Sequence, residues 1–219
     1  MPKNQYVSSA VIRRLPRYYR FLGELLERGV TRISSKELAA MMNLTASQIR
    51  QDLNCFGGFG QQGFGYHVSL LHDEIRKILG LDQGFRAILI GVGNLGRAFV
   101  NHIDFSGSGF VLTGLFDKNP ALIGKQIAGL PVRDADELST FCQENTVDIA
   151  ILCVPSDVAQ QTANDLIRCG VTAFWNFTQY DIKVEHPEAV VESVHLADGL
   201  MALCYQVKDA RRPLETPEP

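Results

Sequence analysis

Residues 85–96 read Phe-Arg-Ala-Ile-Leu-Ile-Gly-Val-Gly-Asn-Leu-Gly. The apolar run Phe85–Ile90 has the length and bulk of a buried strand. Gly91-Val92-Gly93-Asn94-Leu95-Gly96 follows at once and fits the pattern GxGxxG. The pattern is common alone, but here it leaves a strand, opens a helix and is answered by Asp117, 21 residues beyond Gly96. Gly91 permits the tight turn, Gly93 lets the backbone approach a pyrophosphate, and Gly96 lets helix and strand pack closely. The helix N-terminus favours phosphate charge. Asp117 suits the adenosine ribose hydroxyls and repels a 2′-phosphate, which favours NAD(H) over NADP(H); Lys118 beside it pulls the other way.

Working towards the C-terminus, further strands are expected at 111–116, 147–154 and 172–176, with helices near 94–104, 134–143 and 157–169. Strands spaced by helices imply right-handed crossovers and a parallel sheet. Strand carboxyl ends line the crevice of such a sheet, so Cys153, Val154, Pro155, Asn176 and Phe177 join the candidate cofactor contacts, with core packing as the rival role. A last helix, from His195 to about Lys208, sets Leu196, Leu200, Leu203 and Val207 on one stripe, with Met201 and Cys204 widening it. So apolar a helix needs cover, from its own domain or from a second subunit. Residues 212–219 read as a disordered tail.

Working towards the N-terminus, the grammar is helical. Pro16 is placed at a helix start, followed by Tyr18, Phe21, Leu22, Leu25 and Leu26 at helical spacing, with Gly29 as the stop. Ser34-Ser35-Lys36-Glu37 is a capping box, Asn43-Leu44 a tight turn, and Thr45-Ala46-Ser47-Gln48 a second box opening a helix to about Cys55. Two short helices around a tight turn form a helix-turn-helix. Ile49 and Leu53 face its core, leaving Ser47, Gln48, Arg50 and Gln51 outward to reach base edges and phosphates, with Lys36 and Arg14 adding charge. A solvated three-helix bundle is the rival reading. Residues 57–68 hold five glycines and three aromatics, as a hairpin wing would, with Gly60, Gln61 and Gly63 near the backbone of a duplex. A helix at 70–79 and a linker at 80–84 complete this half.

The division expected is 1–82 for a winged-helix DNA-binding domain, 83–192 for a Rossmann domain and 193–211 for a dimerisation helix, an α/β protein overall. Charge follows it. Residues 1–80 carry eleven Lys/Arg against six Asp/Glu, and residues 81–219 ten against eighteen. A basic half beside an acidic one suits a polyanion at one end only.

Other classes fit less well. The five cysteines are scattered without a CxxC pair, against a disulfide framework or a metal site. No apolar run is long enough for a bilayer and the first twenty residues lack a signal-peptide core, so a cytoplasmic location is expected. Only about forty residues follow Phe177, too few for a dehydrogenase's substrate domain, and none of the five histidines sits in a catalytic dyad. A small NAD-dependent oxidoreductase with an accessory helical domain, or a coenzyme-A- or nucleotide-binding module, are the alternatives.

Pro16–Gly57, the glycine wing through Val68, Gly91–Gly96 with Phe116-Asp117, and the terminal His195-Leu196-Ala197-Asp198 helix together resemble the Rex family of bacterial redox-sensing repressors. The resemblance implies Tyr18–Gly57 as the helix-turn-helix region and a homodimer with exchanged C-terminal helices. It implies binding of palindromic operators of fermentation and respiration genes when NADH is scarce, and release as NADH rises. It also implies a Tyr–Asp–Arg network between cofactor and DNA domain. Arg20 fits the arginine, His102 stands in the tyrosine's place, and Asp198 is the candidate acid.

Overall fold

The computed structural model describes residues 7–61 and 65–211, and the chain divides into two compact units between Gln83 and Gly84.

In the first unit, α1 (Ser9–Glu27) begins well before Pro16, which lies inside the helix rather than at its start. The ring removes one backbone donor, but Pro16 is exposed, and Leu15, Tyr18, Leu22 and Leu25 bury the opposite face. Burial of that face outweighs the local break. Gly29 then reverses the chain with φ +71°. β1 (Arg32–Ile33) leads into α2 (Ser35–Met42), whose capping box is complete. Asn43, left-handed at φ 52°, makes the turn into α3 (Ala46–Asn54). Thr45 caps α3 by accepting the Gln48 N–H at 3.1 Å, but the expected second half of this box is absent. The Gln48 side chain instead donates its Nε2 to Asp52, a charge-assisted bond. β2 (Gly60–Gln61) and β3 (Gly65–His67) pair antiparallel, with β1 on the other edge of β3, ahead of α4 (Val68–Ile78). Gly65 has φ +71°, and a Cβ there would lie 2.5 Å from the Ile33 carbonyl oxygen, so β1 can lie this close to the start of β3 only with glycine at position 65. Gly63 lies outside the described residues.

One buried charge organises this unit. Asp52 of α3 is 1% exposed. It accepts from Arg14 Nε at 2.6 Å and Nη2 at 2.7 Å, from the Tyr18 hydroxyl at 2.8 Å and from Gln48 Nε2 at 2.8 Å. Four donors meet the four sites a carboxylate offers. Burial alone would raise its pKa; the bonds from Arg14, Gln48 and Tyr18 overturn that and hold it below the ordinary carboxylate value.

The second unit opens with β4 (Phe85–Ile90), α5 (Asn94–His102) and β5 (Phe110–Asp117). A hairpin of β6 (Gln126–Ile127) and β7 (Leu130–Asp134) follows, then α6 (Leu138–Glu144), β8 (Ile149–Leu152) and α7 (Ser156–Arg168). It ends with β9 (Ala173–Asn176), α8 (Ile182–Glu185), β10 (Val190–Ser193) and α9 (Leu196–Ala210). The sheet order is β10-β9-β8-β4-β5-β7-β6, parallel except for β6 against β7. Without β6 this is the 3-2-1-4-5-6 order of a doubly wound dinucleotide fold, with its switch point between β4 and β8. Alternation along the strands divides the core. Ile88, Ile90, Phe116, Leu152 and Phe174 pack with α6 and α7, and Ala87, Leu89, Leu115 and Ile151 pack on the other side with Val100 of α5. None of the residues of α9 is buried.

Two outcomes follow from the Asp52 cluster. Tyr18→Phe leaves a buried carboxylate one donor short and should cost about 1–3 kcal/mol in urea unfolding followed by a probe of the first unit. Because Asp52 ionises more readily folded than unfolded, its contribution is complete above about pH 4 and lost as pH falls through its lower folded value. Acid unfolding of wild type should show that loss, and Asp52→Asn should remove it.

Candidate dinucleotide crevice and nucleic-acid face

The crevice lies over the carboxyl ends of β4, β5, β8 and β9. Gly91 ends β4 with φ +93°, and a Cβ on it would stand 2.5 Å from the Cys153 carbonyl oxygen. A Cβ on Gly96 would meet the Gly91 carbonyl oxygen and lie 3.0 Å from Leu89 Cδ2, so this glycine sets how closely α5 packs on β4. Gly93 faces open space and, with Asn94, is exposed at the start of α5; Leu95 is half-buried. The glycine loop thus leaves open space at a helix N-terminus, a setting suited to a pyrophosphate. Val92 is buried beneath it.

Asp117 ends β5. Its Oδ2 accepts the Val92 N–H at 2.7 Å and its Oδ1 the Asn119 N–H at 2.8 Å. It braces the glycine loop and keeps two acceptor sites, which could take ribose hydroxyls. Lys118 does not stand loose beside it: its Nζ lies 3.2 Å from Asp136 Oδ1. Asp136 escaped the sequence reading because only the parallel pairing of β5 with β7, which sets Asp117 beside Asp134, brings that turn to the crevice.

At β8, Cys153 contributes its carbonyl to the packing against Gly91, while burial pushes its thiol up to about 12. The side chain packs against the cluster that holds Leu89, Val92 and Ile151. Val154 is half-buried, and exposed Pro155 sits at the N-cap of α7. Asn176 departs from its expected role. It is fully buried, donates Nδ2 to the Tyr180 carbonyl at 2.8 Å, and accepts the Thr178 N–H at 3.0 Å and hydroxyl at 2.8 Å. Its polar atoms are spent on shaping the loop after β9. Phe177 is better placed: it meets Phe99 at 4.5 Å and Trp175 at 4.7 Å, in a half-buried aromatic group. No sequence period announces that group, since its members come from α5 and from either side of the end of β9.

On the first unit, Ser47, Arg50 and Gln51 are exposed on α3 and Lys36 is exposed on α2. Arg50 donates to the Ser35 hydroxyl at 3.0 Å, which ties the two helices across their turn. Arg14 is corrected: both of its bonded nitrogens serve Asp52, so it is an internal brace rather than an outward cation. Gln48 is half-buried, its NH2 held by the same carboxylate. Arg17, absent from the sequence candidates, donates to the Met42 carbonyl at the end of α2 at 3.0 Å. Gly60 and Gln61 form β2. Of the switch candidates, Arg20 is exposed on α1 with its guanidinium 5.8 Å from the Phe21 ring centroid, and His102 is exposed at the end of α5. Asp198 lies 3.5 Å from the ring of His195 on its own helix. Among the described residues no cluster of His, Cys, Asp or Glu could hold a metal, and no helix is long and apolar enough to cross a membrane.

Comparison with known proteins bears on both units. Residues 6–54 match a family model described as "Putative DNA-binding protein N-terminus", and residues 82–180 match one described as "CoA binding domain". The redox-sensing transcriptional repressor Rex of Thermoanaerobacter sp. (strain X514) is 52% identical over 209 residues, spanning 95% of this chain and 93% of the relative. That of Clostridioides difficile (strain 630) is 50% identical, spanning 95% and 99%. A crystal structure of RSP in complex with β-NAD+ and operator DNA matches with a TM-score of 0.87 at 51% identity, over 94% of this chain and 95% of that one. RSP in complex with β-NADH matches at 0.85 and 49% identity, over 94% and 97%. With about half its residues shared along nearly its whole length, this chain belongs to the Rex family of redox-sensing transcriptional repressors.

Proposed function

We propose that this repressor holds operator DNA while NADH is scarce and lets go when NADH fills the crevice of its second unit. The observation that carries the reading is the union in one chain of a capped helix-turn-helix with exposed Ser47, Arg50 and Gln51 and a glycine hollow braced by Asp117. The related RSP has been crystallised both with NAD+ and operator DNA and with NADH. In this division residues 1–82 grip the duplex, 83–192 bind the dinucleotide and 193–211 pair two copies. The apolar stripe of α9, wholly unburied within its own chain, supports a homodimer in which that helix is exchanged. Two subunits then meet two halves of a palindrome. The work is that of a cytoplasmic regulator rather than an enzyme. Arg20, His102 and Asp198 remain the candidate link between cofactor and DNA.

NADH rather than coenzyme A is the ligand because the latter carries a phosphate on its adenosine ribose, which Asp117 would repel. Release requires that NADH favour the DNA-free form, since a ligand with equal affinity for both forms shifts nothing. Adding NADH to the complex with a duplex selected from a random pool should dissociate it at concentrations where NAD+ does not. Equal effects of the two would sink the proposal. Arg50→Ala should weaken duplex binding about tenfold and leave NADH affinity unchanged. Asp136→Ala releases Lys118 towards the ribose, so NADPH affinity should rise several-fold relative to NADH in a fluorescence titration.

A further inference from the structure

We infer that Asp52 fixes which hydrogen-bonding end of Gln48 faces the DNA, and thereby makes Gln48 a reader of bases that carry an exocyclic amine. The inference rests on the DNA-binding reading above. Gln48 is the third residue of α3, and in a helix-turn-helix the first residues of the second helix lie nearest the base edges. A free glutamine is ambiguous: its amide can turn over and present either a donor pair or an acceptor. Here it is not free. A carboxylate can only accept, so the group 2.8 Å from Asp52 Oδ1 must be the NH2. Asp52 cannot turn away, because Arg14 Nε and Nη2 and the Tyr18 hydroxyl clamp both of its oxygens from α1. Nor is it available to protonate and donate, since those bonds keep it ionised well into acid.

Oε1 is therefore directed away from the core, and Gln48 is half-exposed. In the major groove an acceptor finds its partner on adenine N6 or cytosine N4, and meets repulsion from guanine O6 or thymine O4. Asp52 takes one N–H of the NH2 and leaves the second, which can add a bond to adenine N7 beside the one from N6 to Oε1. One position in each half-site should then favour adenine, take cytosine next, and reject guanine and thymine.

The test is a duplex selected by the wild type from a random pool, followed by a panel with every base at every half-site position. Wild type should favour amino over keto bases at one symmetric position, by about tenfold. Gln48→Met keeps the bulk and leaves the Arg14–Asp52–Tyr18 cluster whole; it should flatten that position to within about twofold and spare the others. Asp52→Asn frees the amide to turn, and should admit keto bases at the same position. Uniform weakening at all positions in Gln48→Met, or a keto preference where that variant acts, would overturn the inference. Failure of the wild type to select any duplex would instead overturn the DNA-binding reading beneath it.

Discussion

The close approach of three backbone segments at the end of β4 is the constraint on which the second unit depends. Gly91 lies against the Cys153 carbonyl, and Gly96 lies against Gly91 itself. No side chain fits between them. This closeness lets β4 pair with β8 on one side and β5 on the other while α5 starts directly above, so the open hollow at Gly93 and the packed core beneath it are one arrangement. Asp117 completes it from the neighbouring strand by taking the Val92 N–H. One carboxylate thus ties the end of β5 to the glycine loop after β4.

The first unit meets its geometric demand by other means. Its three-stranded sheet is small and α2 and α3 are short, so apolar burial alone leaves several ways to rotate α3 against α1. A buried carboxylate on α3 that takes three bonds from Arg14 and Tyr18 of α1 leaves one.

Sequence carried the strand–loop–helix at 85–102 and the helix-turn-helix because each is announced by residues with local duties: glycines in a turn, hydroxyls at a cap, alternation over a strand. Elements of two residues, such as β1 and β6, present no period at all. Pro16 by its local preference marks a helix start, but the buried face of Leu15, Tyr18 and Leu22 around it carries the helix through. Arg14 and Asn176 likewise look like ligands for an outside partner, and both are satisfied inside. Polar residue types advertise the capacity to bond, and only the fold says with whom. Asp136 was missed for the converse reason, since a strand pairing brings it to Lys118 across a gap that no spacing rule reports.

The terminal helix has a consequence for how the molecule comes into being. Fifteen residues with nothing buried sit at the length where an isolated helix in water is barely self-supporting. Whatever covers α9 must therefore also supply its order. If the cover is a second copy, completion of each chain is a second-order event, faster at high expression and slower on dilution. A newly made chain waiting for its mate would carry a segment open to proteases, which would tie the lifetime of the repressor to its own abundance.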